Sequence, residues 1–187
     1  MNKPSEEYRS YPAHLVRSLS LNDGTTITLR PIRPADAMIE HEFVRGLSGE
    51  TRYFRFMDSL RELSAGMLKH LTHIDYRNHM ALIAVATLDG EEVEVAVARY
   101  IVADDGETCE FAIVVGDAWQ RHGIATALMK LLIEAARERR IKTMTGEVLS
   151  SNNKMLRFIA KLGFSVEMDA HDAKQVCVSM LIEPIQQ

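Results

Sequence analysis

The most constraining feature of the sequence is an amphipathic segment that begins directly after Gly123. Apolar side chains recur along it at helical spacing, and this stripe consists of Ile124, Ala127, Leu128, Leu131, Leu132 and Ala135. The spacing predicts a long helix with one buried face. The apolar residues 109–115 upstream have the composition of a strand. We therefore expect residues 120–123 to form a loop between a strand end and a helix N-terminus.

The rest of the chain predicts further strands and helices. Residues 25–32 predict a strand, and a helix of about ten residues follows from Pro34. Residues 64–74 predict a second helix. Residues 79–115 predict a three-stranded meander with Asp-Gly turns at 89–90 and 105–106. A strand at 143–149, a helix at 152–163 and two strands at 164–168 and 175–182 complete a mixed α/β fold.

The length of 187 residues fits one domain. Residues 1–18 contain two prolines and little periodicity, so we expect a flexible N-terminal arm followed by one domain at 19–187. The chain has no signal peptide pattern and no apolar run of the roughly 20 residues that a membrane span needs. These features predict a cytoplasmic protein.

Charge and cysteine content narrow the possible partners. The chain carries 22 Lys and Arg against 26 Asp and Glu, for a net charge of −4. This balance argues against a nucleic-acid or membrane partner. Cys109 and Cys177 have no metal or redox spacing, so we interpret both as reduced thiols that pack in strands.

The loop before Gly123 is a candidate anion site. A helix N-terminus carries free N–H donors and a partial positive charge, which together favour phosphate, and glycine permits close approach of the backbone. The P-loop and the dinucleotide fingerprint are both absent. The alternative is a tight strand-to-helix turn with a purely structural glycine.

At this loop the sequence resembles the GNAT acetyltransferase superfamily. "QRHGIA" matches the acyl-CoA motif Gln/Arg-x-x-Gly-x-Gly/Ala, and "NNKMLRFIAKLGF" resembles the later family helix that opens with Asn. "LRPIRPAD", "GLSGETRYFRF" and "IDYRNHMALIA" resemble the GNAT domain of Pat-type bacterial protein lysine acetyltransferases. The resemblance implies a mostly antiparallel, splayed sheet of about seven strands flanked by helices.

The resemblance also implies a ligand and its contacts. Acetyl-CoA would be the co-substrate, with no metal, and the acceptor would be an amine such as a protein lysine on an acyl-CoA synthetase. Backbone N–H groups would hold the pyrophosphate, and the strand backbone and one asparagine would hold the pantetheine arm. The residues concerned are Arg121, His122, Gly123, Ile124, Ala125 and Thr126 for the pyrophosphate, and Ile113, Val115 and Asn152 for the arm.

Glu110 is the candidate general base. It is the one acidic residue of an apolar strand, where alternation places it on the face of Ala112 and Val114. In the Pat-type proteins that this chain resembles, the glutamate in this "EFA" setting is the general base. The alternative is that Glu110 is a glutamate at the start of a strand that faces water. Glu147 is a weaker candidate for the base. Many family members carry a tyrosine acid where this chain has Ile159.

Other interpretations remain open at this level. The acceptor could instead be a small amine or amino acid, or the chain could be a non-catalytic CoA-binding sensor. Histidines at 70, 73 and 79 with Asp75 lack the support expected of a metal cluster. The segment 52–56, "RYFRF", is interpreted as loop packing near the acceptor site. The sequence carries no signal for an oligomeric state.

Overall fold

The computed structural model describes residues 11–57, 63–168 and 174–183. Eight strands form one sheet in the order β1-β2-β3-β4-β5-β6-β8-β7. The strands are β1 Arg17–Ser20, β2 Thr26–Pro31, β3 His79–Leu88, β4 Glu91–Val102, β5 Thr108–Val115, β6 Thr143–Leu149, β7 Ser165–Met168 and β8 Gln175–Leu181. All neighbouring pairs are antiparallel except β5 with β6. The mixed α/β class and the mostly antiparallel sheet are confirmed.

Five helices flank this sheet, together with short 3₁₀ turns at Ala13–Leu15, Pro34–Asp36 and Asp117–Trp119. The helices are α1 Ala37–Gly46, α2 Gly49–Phe56, α3 Ala65–Thr72, α4 Ile124–Glu138 and α5 Asn153–Lys161. The first three lie between β2 and β3 in the chain, and α1 packs on β4. Helix α4 packs on β3, β4 and β5 through the predicted apolar stripe, where Leu128 and Leu132 are fully buried.

The sheet is splayed between β5 and β6. The two strands pair in parallel at only three positions, and Glu110 opposite Thr145 is the last of them. Beyond this pair, β5 continues to Val115 and β6 to Leu149 without pairing to each other. The outer sides of these strands remain fully paired, β5 with β4 and β6 with β8. A wedge-shaped gap therefore opens from Glu110 toward the carboxyl ends of both strands.

The sheet has one strand more than expected, because part of the predicted arm belongs to the fold. Strand β1 pairs with β2 through a turn in which Asp23 accepts a hydrogen bond from the Thr25 N–H. Leu15 is 1% exposed and belongs to the core. The short, polar sequence of β1 lacks the apolar alternation that predicts a strand. Residues 1–10, the remainder of the arm, lie outside the described residues.

Helix α2 is also absent from the sequence prediction, which interpreted residues 52–56 as a loop. Ser48 caps this helix by accepting a hydrogen bond from the Thr51 N–H at 3.1 Å, and Glu50 lies in its first turn. Both are standard signals of a helix start. These signals were not enough to predict the helix, because the arginines and aromatic residues that follow them form no apolar stripe at helical spacing.

Candidate active site

A cleft of about 890 Å³ occupies the gap between β5 and β6. Its floor is the unpaired half of β5, including Ile113 and Val115. Three helices form its walls: the N-terminus of α4, the inner face of α5 and the C-terminal turn of α2. Most candidate residues named from the sequence line this one cleft: Glu110, Ile113, Val115, Arg121, Gly123, Ile124, Ala125, Thr126 and Asn152.

The backbone of residues 121–126 has the shape of an anion cradle. Gly123 precedes α4 and adopts the left-handed conformation, with φ of 83°. Because it has no side chain, it forms no side-chain cap on the helix. Arg121 also adopts a positive φ, of 69°. The first backbone bond of α4 runs from the Ala127 N–H to the Gly123 carbonyl, so the preceding N–H groups point out of the helix. Alternating left- and right-handed residues before a helix N-terminus turn successive N–H groups toward one point.

Helix α5 forms the opposite wall of the cleft. Its cap is Asn152, whose side-chain oxygen accepts a hydrogen bond from the Met155 N–H at 3.1 Å. The side-chain amide NH₂ of Asn152 is not part of this cap. Met155 and Phe158 line the cleft one and two turns further on. Asn152 thus has a structural role through its oxygen, and it also lines the cleft.

Glu110 stands at the apex of the gap. It is exposed, while its neighbours Cys109 and Phe111 are buried on the other face of the sheet. The β4 register places Glu110 opposite Ile101 and Ala112 opposite Arg99, so Glu110 and Ala112 share the face predicted by alternation. Glu147 lines the same cleft from β6.

Two residues named from the sequence lie away from the cleft. His122 is exposed and is not part of the lining. Ile159, at the position where many family members have tyrosine, is fully buried in the core. Phe158, the residue before it, faces the cleft instead.

The α2 wall supplies residues that the sequence analysis placed near the acceptor site only as loop packing. Phe54, Arg55 and Phe56 all line the cleft. The helix is fixed to the loop after β5 by Asp117, which accepts hydrogen bonds from three donors. These are the Ser48 N–H at 2.9 Å, the Ser48 hydroxyl at 2.9 Å and the Thr51 hydroxyl at 2.6 Å.

A buried cluster of charged residues lies between β4 and the helices α1 and α3. Arg99 donates to the Glu40 carboxylate at 2.9 Å and to the Leu71 carbonyl at 3.2 Å. Glu94 is buried in the same layer, and neither of its carboxyl oxygens has a hydrogen-bond partner among the described residues. Burial raises the pKa of Glu94 well above its usual range, and the Glu40 carboxylate raises it further.

The histidines considered as metal ligands do not form a site. Within the described ranges, no group of three or more His, Cys, Asp or Glu side chains is arranged to hold a metal ion. His79 is buried beside Arg99. Burial lowers its pKa to about 4, and the charge of Arg99 acts in the same direction. His79 is thus neutral at physiological pH.

Comparison with known proteins identifies the family. A model described as the acetyltransferase (GNAT) family matches residues 46–164, which include the cleft, the Gly123 loop and α5. The chain belongs to the GNAT acetyltransferase family. GNAT enzymes take the acetyl group from acetyl-CoA, so this protein is an acetyl-CoA-dependent N-acetyltransferase.

Individual relatives support this assignment. The chain is 36% identical over 157 residues to an acetyltransferase of Pseudomonas aeruginosa, covering 84% of each protein. It is 30% identical over 146 residues to the acetyltransferase Pat of Mycolicibacterium smegmatis, covering 78% of this chain but 43% of that longer protein. The crystal structure of the GNAT domain of S. lividans PAT superposes with a TM-score of 0.82 at 31% identity, covering 92% of this chain and 99% of that domain.

In the part of the chain that the structure describes, no helix is long and apolar enough to span a membrane.

Proposed function

We propose that this enzyme acetylates the ε-amine of a lysine in a protein, with Glu110 as the general base. The observation that carries the proposal is the position of Glu110, exposed at the apex of the splayed strands and lining the cleft. The resemblance to Pat proteins supports a protein acceptor. An acyl-CoA synthetase is the protein class that this resemblance suggests.

The same cleft suits acetyl-CoA. We assign the pyrophosphate to the N–H groups of residues 121–126 and the pantetheine arm to the free edge of β5 at Ile113 and Val115, with the Asn152 amide on the other side. We place the pantetheine arm at this edge because, among the described residues, the β5 backbone groups on this side have no strand partner beyond Glu110. An extended amide-containing arm can supply the missing hydrogen bonds.

The base is needed because lysine is an ammonium ion at neutral pH. With an amine pKa of about 10.4, neutralising it at pH 7 costs about 4.6 kcal/mol. Glu110 accepts this proton, directly or through a water molecule. The amine nitrogen then bonds to the acetyl carbonyl carbon and the carbon–sulfur bond breaks. The nitrogen releases its surplus proton to water, which gives the neutral amide, and the leaving thiolate takes a proton from water. Ile159 is buried and apolar, so its position supplies no acid.

The sheet around Glu110 is open to a large acceptor. On its face, β6, β7 and β8 present exposed Glu147, Glu167, Cys177 and Leu181. A lysine side chain on a folded protein can reach Glu110 across this face, and the carboxylates favour a cationic side chain.

The proposal is tested by mass spectrometry of a chemically deacetylated bacterial lysate. The enzyme is added with deuterated acetyl-CoA, and the control is the Glu110→Gln variant, which corrects for non-enzymatic acetylation. We expect labelled lysines on a small set of proteins with the wild type only. A parallel panel of small amines and amino acids is followed by CoA thiol release. Turnover confined to the small-amine panel contradicts a protein acceptor.

A further inference from the structure

Arg55 is an unpaired cation in the cleft wall. Its side chain is half-buried and lines the cleft with Glu110. The guanidinium carbon lies 4.9 Å from the centroid of the Phe56 ring, yet Arg55 makes no ion pair or hydrogen bond with any side chain in the described ranges. A guanidinium carries five N–H donors, which are available to a ligand in the cleft.

The surroundings of Arg55 shift its pKa. Burial lowers the pKa of Arg55 to about 10, and the nearby charge of Arg99 lowers it further, while Glu40 and Glu110 act in the opposite direction. Arg99 is already bonded to Glu40. A pKa of about 10 still leaves Arg55 charged at neutral pH, and no described side chain forms an ion pair with it.

The position of Arg55 is also fixed. It lies in the last turn of α2, whose first turn is tied to the loop after β5 by the three hydrogen bonds to Asp117. The backbone that carries Arg55 is therefore anchored at the cleft wall, which lowers the cost of placing its side chain for anion binding.

The anion belongs to the acceptor rather than to the CoA phosphates. The charges that act on Arg55 include Glu110, at the apex of the gap, and Arg99, which lies opposite Ala112 on the same face of the sheet. The Gly123 loop follows the far end of β5, and Glu110 to Val115 alone spans roughly 17 Å of strand. Arg55 therefore faces the acceptor end of the cleft.

We infer that Arg55 binds a carboxylate carried by the acceptor next to the reacting amine, so that the enzyme selects lysines with an acidic neighbour. This inference rests on the proposed function and specifies its substrate class. Arginine binds carboxylate through two parallel hydrogen bonds, which adds orientation as well as affinity. The positive charge also disfavours the ammonium form of an amine held beside it.

The test uses matched lysine peptides with Asp or Asn on either side of the lysine, acetylated by the wild type, Arg55→Gln and Arg45→Gln. Arg45 is a matched control because it is exposed on α1 and pairs with Glu42. For the wild type and Arg45→Gln we expect a kcat/KM about ten- to a hundredfold higher for the Asp peptide on one side of the lysine. Arg55→Gln loses this preference through KM and binds CoA normally by calorimetry.

A second panel separates this inference from the proposed function. Free lysine and cadaverine differ by one carboxylate, and thiol release is measured for both with the same three enzymes. Turnover of cadaverine and lysine but of no peptide contradicts the protein acceptor, while a lysine preference that Arg55→Gln abolishes still supports the carboxylate site. Equal wild-type rates with and without the carboxylate in both panels overturn the inference. So does a preference that survives in Arg55→Gln, or weaker CoA binding by that variant.

Discussion

At the scale of single residues, the proposed chemistry depends on the carboxylate of Glu110. Glu110→Gln keeps the shape of the side chain and removes the proton acceptor. We expect kcat at pH 7 to fall by roughly 10²–10⁴ with little change in the affinity for acetyl-CoA. The rate of the variant should recover as the pH approaches the amine pKa of about 10.4, because the free amine then needs no base.

The pH profile of kcat on a competent acceptor is the deciding measurement for Glu110. Glu147→Gln is the control, since Glu147 lines the same cleft from the neighbouring strand. A Glu110→Gln variant as active as the wild type at pH 7 would show that Glu110 is not the base. A large loss in Glu147→Gln with the same pH recovery would move the role to Glu147.

Asn152 combines two functions that two substitutions can separate. Its oxygen caps α5 through the Met155 N–H, whereas its NH₂ group is the proposed donor to CoA. Asn152→Asp retains the cap and loses the donor, so it should keep the free energy of unfolding while weakening CoA binding by at least about 0.5–1.5 kcal/mol. Asn152→Ala should lose CoA affinity and also about 1 kcal/mol of stability.

Urea unfolding and calorimetry with CoA measure the two effects of the Asn152 variants. CoA binding by Asn152→Asp at wild-type affinity would show that the amide donor is not used and that Asn152 serves only as a helix cap.

At the scale of elements, the Gly123 turn allows a charge test of the anion cradle. Asn and Asp have the same shape, and both tolerate the left-handed conformation of Gly123, where an added Cβ meets no atom within 4 Å. Relative to Gly123→Asn, Gly123→Asp should bind CoA at least tenfold more weakly, or about 1.4 kcal/mol, because its carboxylate repels phosphate.

The same substitution should affect stability in the opposite direction. A carboxylate at a helix N-terminus interacts favourably with the helix dipole, so Gly123→Asp should be no less stable than Gly123→Asn in thermal unfolding. Calorimetry with CoA gives the binding difference. Equal CoA affinity of the two variants would show that this loop does not bind the CoA pyrophosphate.

The helices and strands also show which signals in the sequence were sufficient to predict secondary structure. The meander β3–β5 was predicted because its hairpins contain Asp-Gly pairs, and Asp89 and Gly90 both adopt the positive φ that such turns require. Helix α4 was predicted because its apolar stripe is unbroken. Strand β1 and helix α2 were missed because each is short and lacks a clear apolar pattern. Strand β1 forms a local hairpin with β2, whereas α2 is fixed by hydrogen bonds to Asp117, which is distant in the chain.

At the scale of the whole molecule, the cleft arises where two strands that are distant in the chain stop pairing with each other. Strands β5 and β6 pair at three positions and then diverge, and no residue type in either strand specifies where pairing stops. The resemblance to a family implied a splayed sheet and a set of contact residues, most of which line the cleft. It did not place Arg55 there, since that position depends on how α2 is anchored to the loop after β5.

The buried charge cluster makes the stability of the whole fold depend on pH. Glu94 has a raised pKa in the folded state, whereas in the unfolded chain its pKa returns to the ordinary value near 4.5. Below that pH both states are protonated, so Glu94 contributes no pH dependence. As the pH rises, only the unfolded state ionises, which lowers the free energy of unfolding by at most about 1.4 kcal/mol per pH unit until the folded pKa is reached.

Glu94→Gln tests this coupling, because the amide has a similar shape and cannot ionise. We expect the variant to gain stability relative to the wild type as the pH rises from 5 to 8, by more than about 1 kcal/mol in total. Urea unfolding across this range measures it, and Glu167→Gln, an exposed carboxylate on β7, is the control. Parallel curves for the wild type and Glu94→Gln would mean that Glu94 is ionised in the fold, with Arg99 shared between two carboxylates. A gain confined to Glu94→Gln would show that burial of Glu94 lowers the stability of the fold as the pH rises.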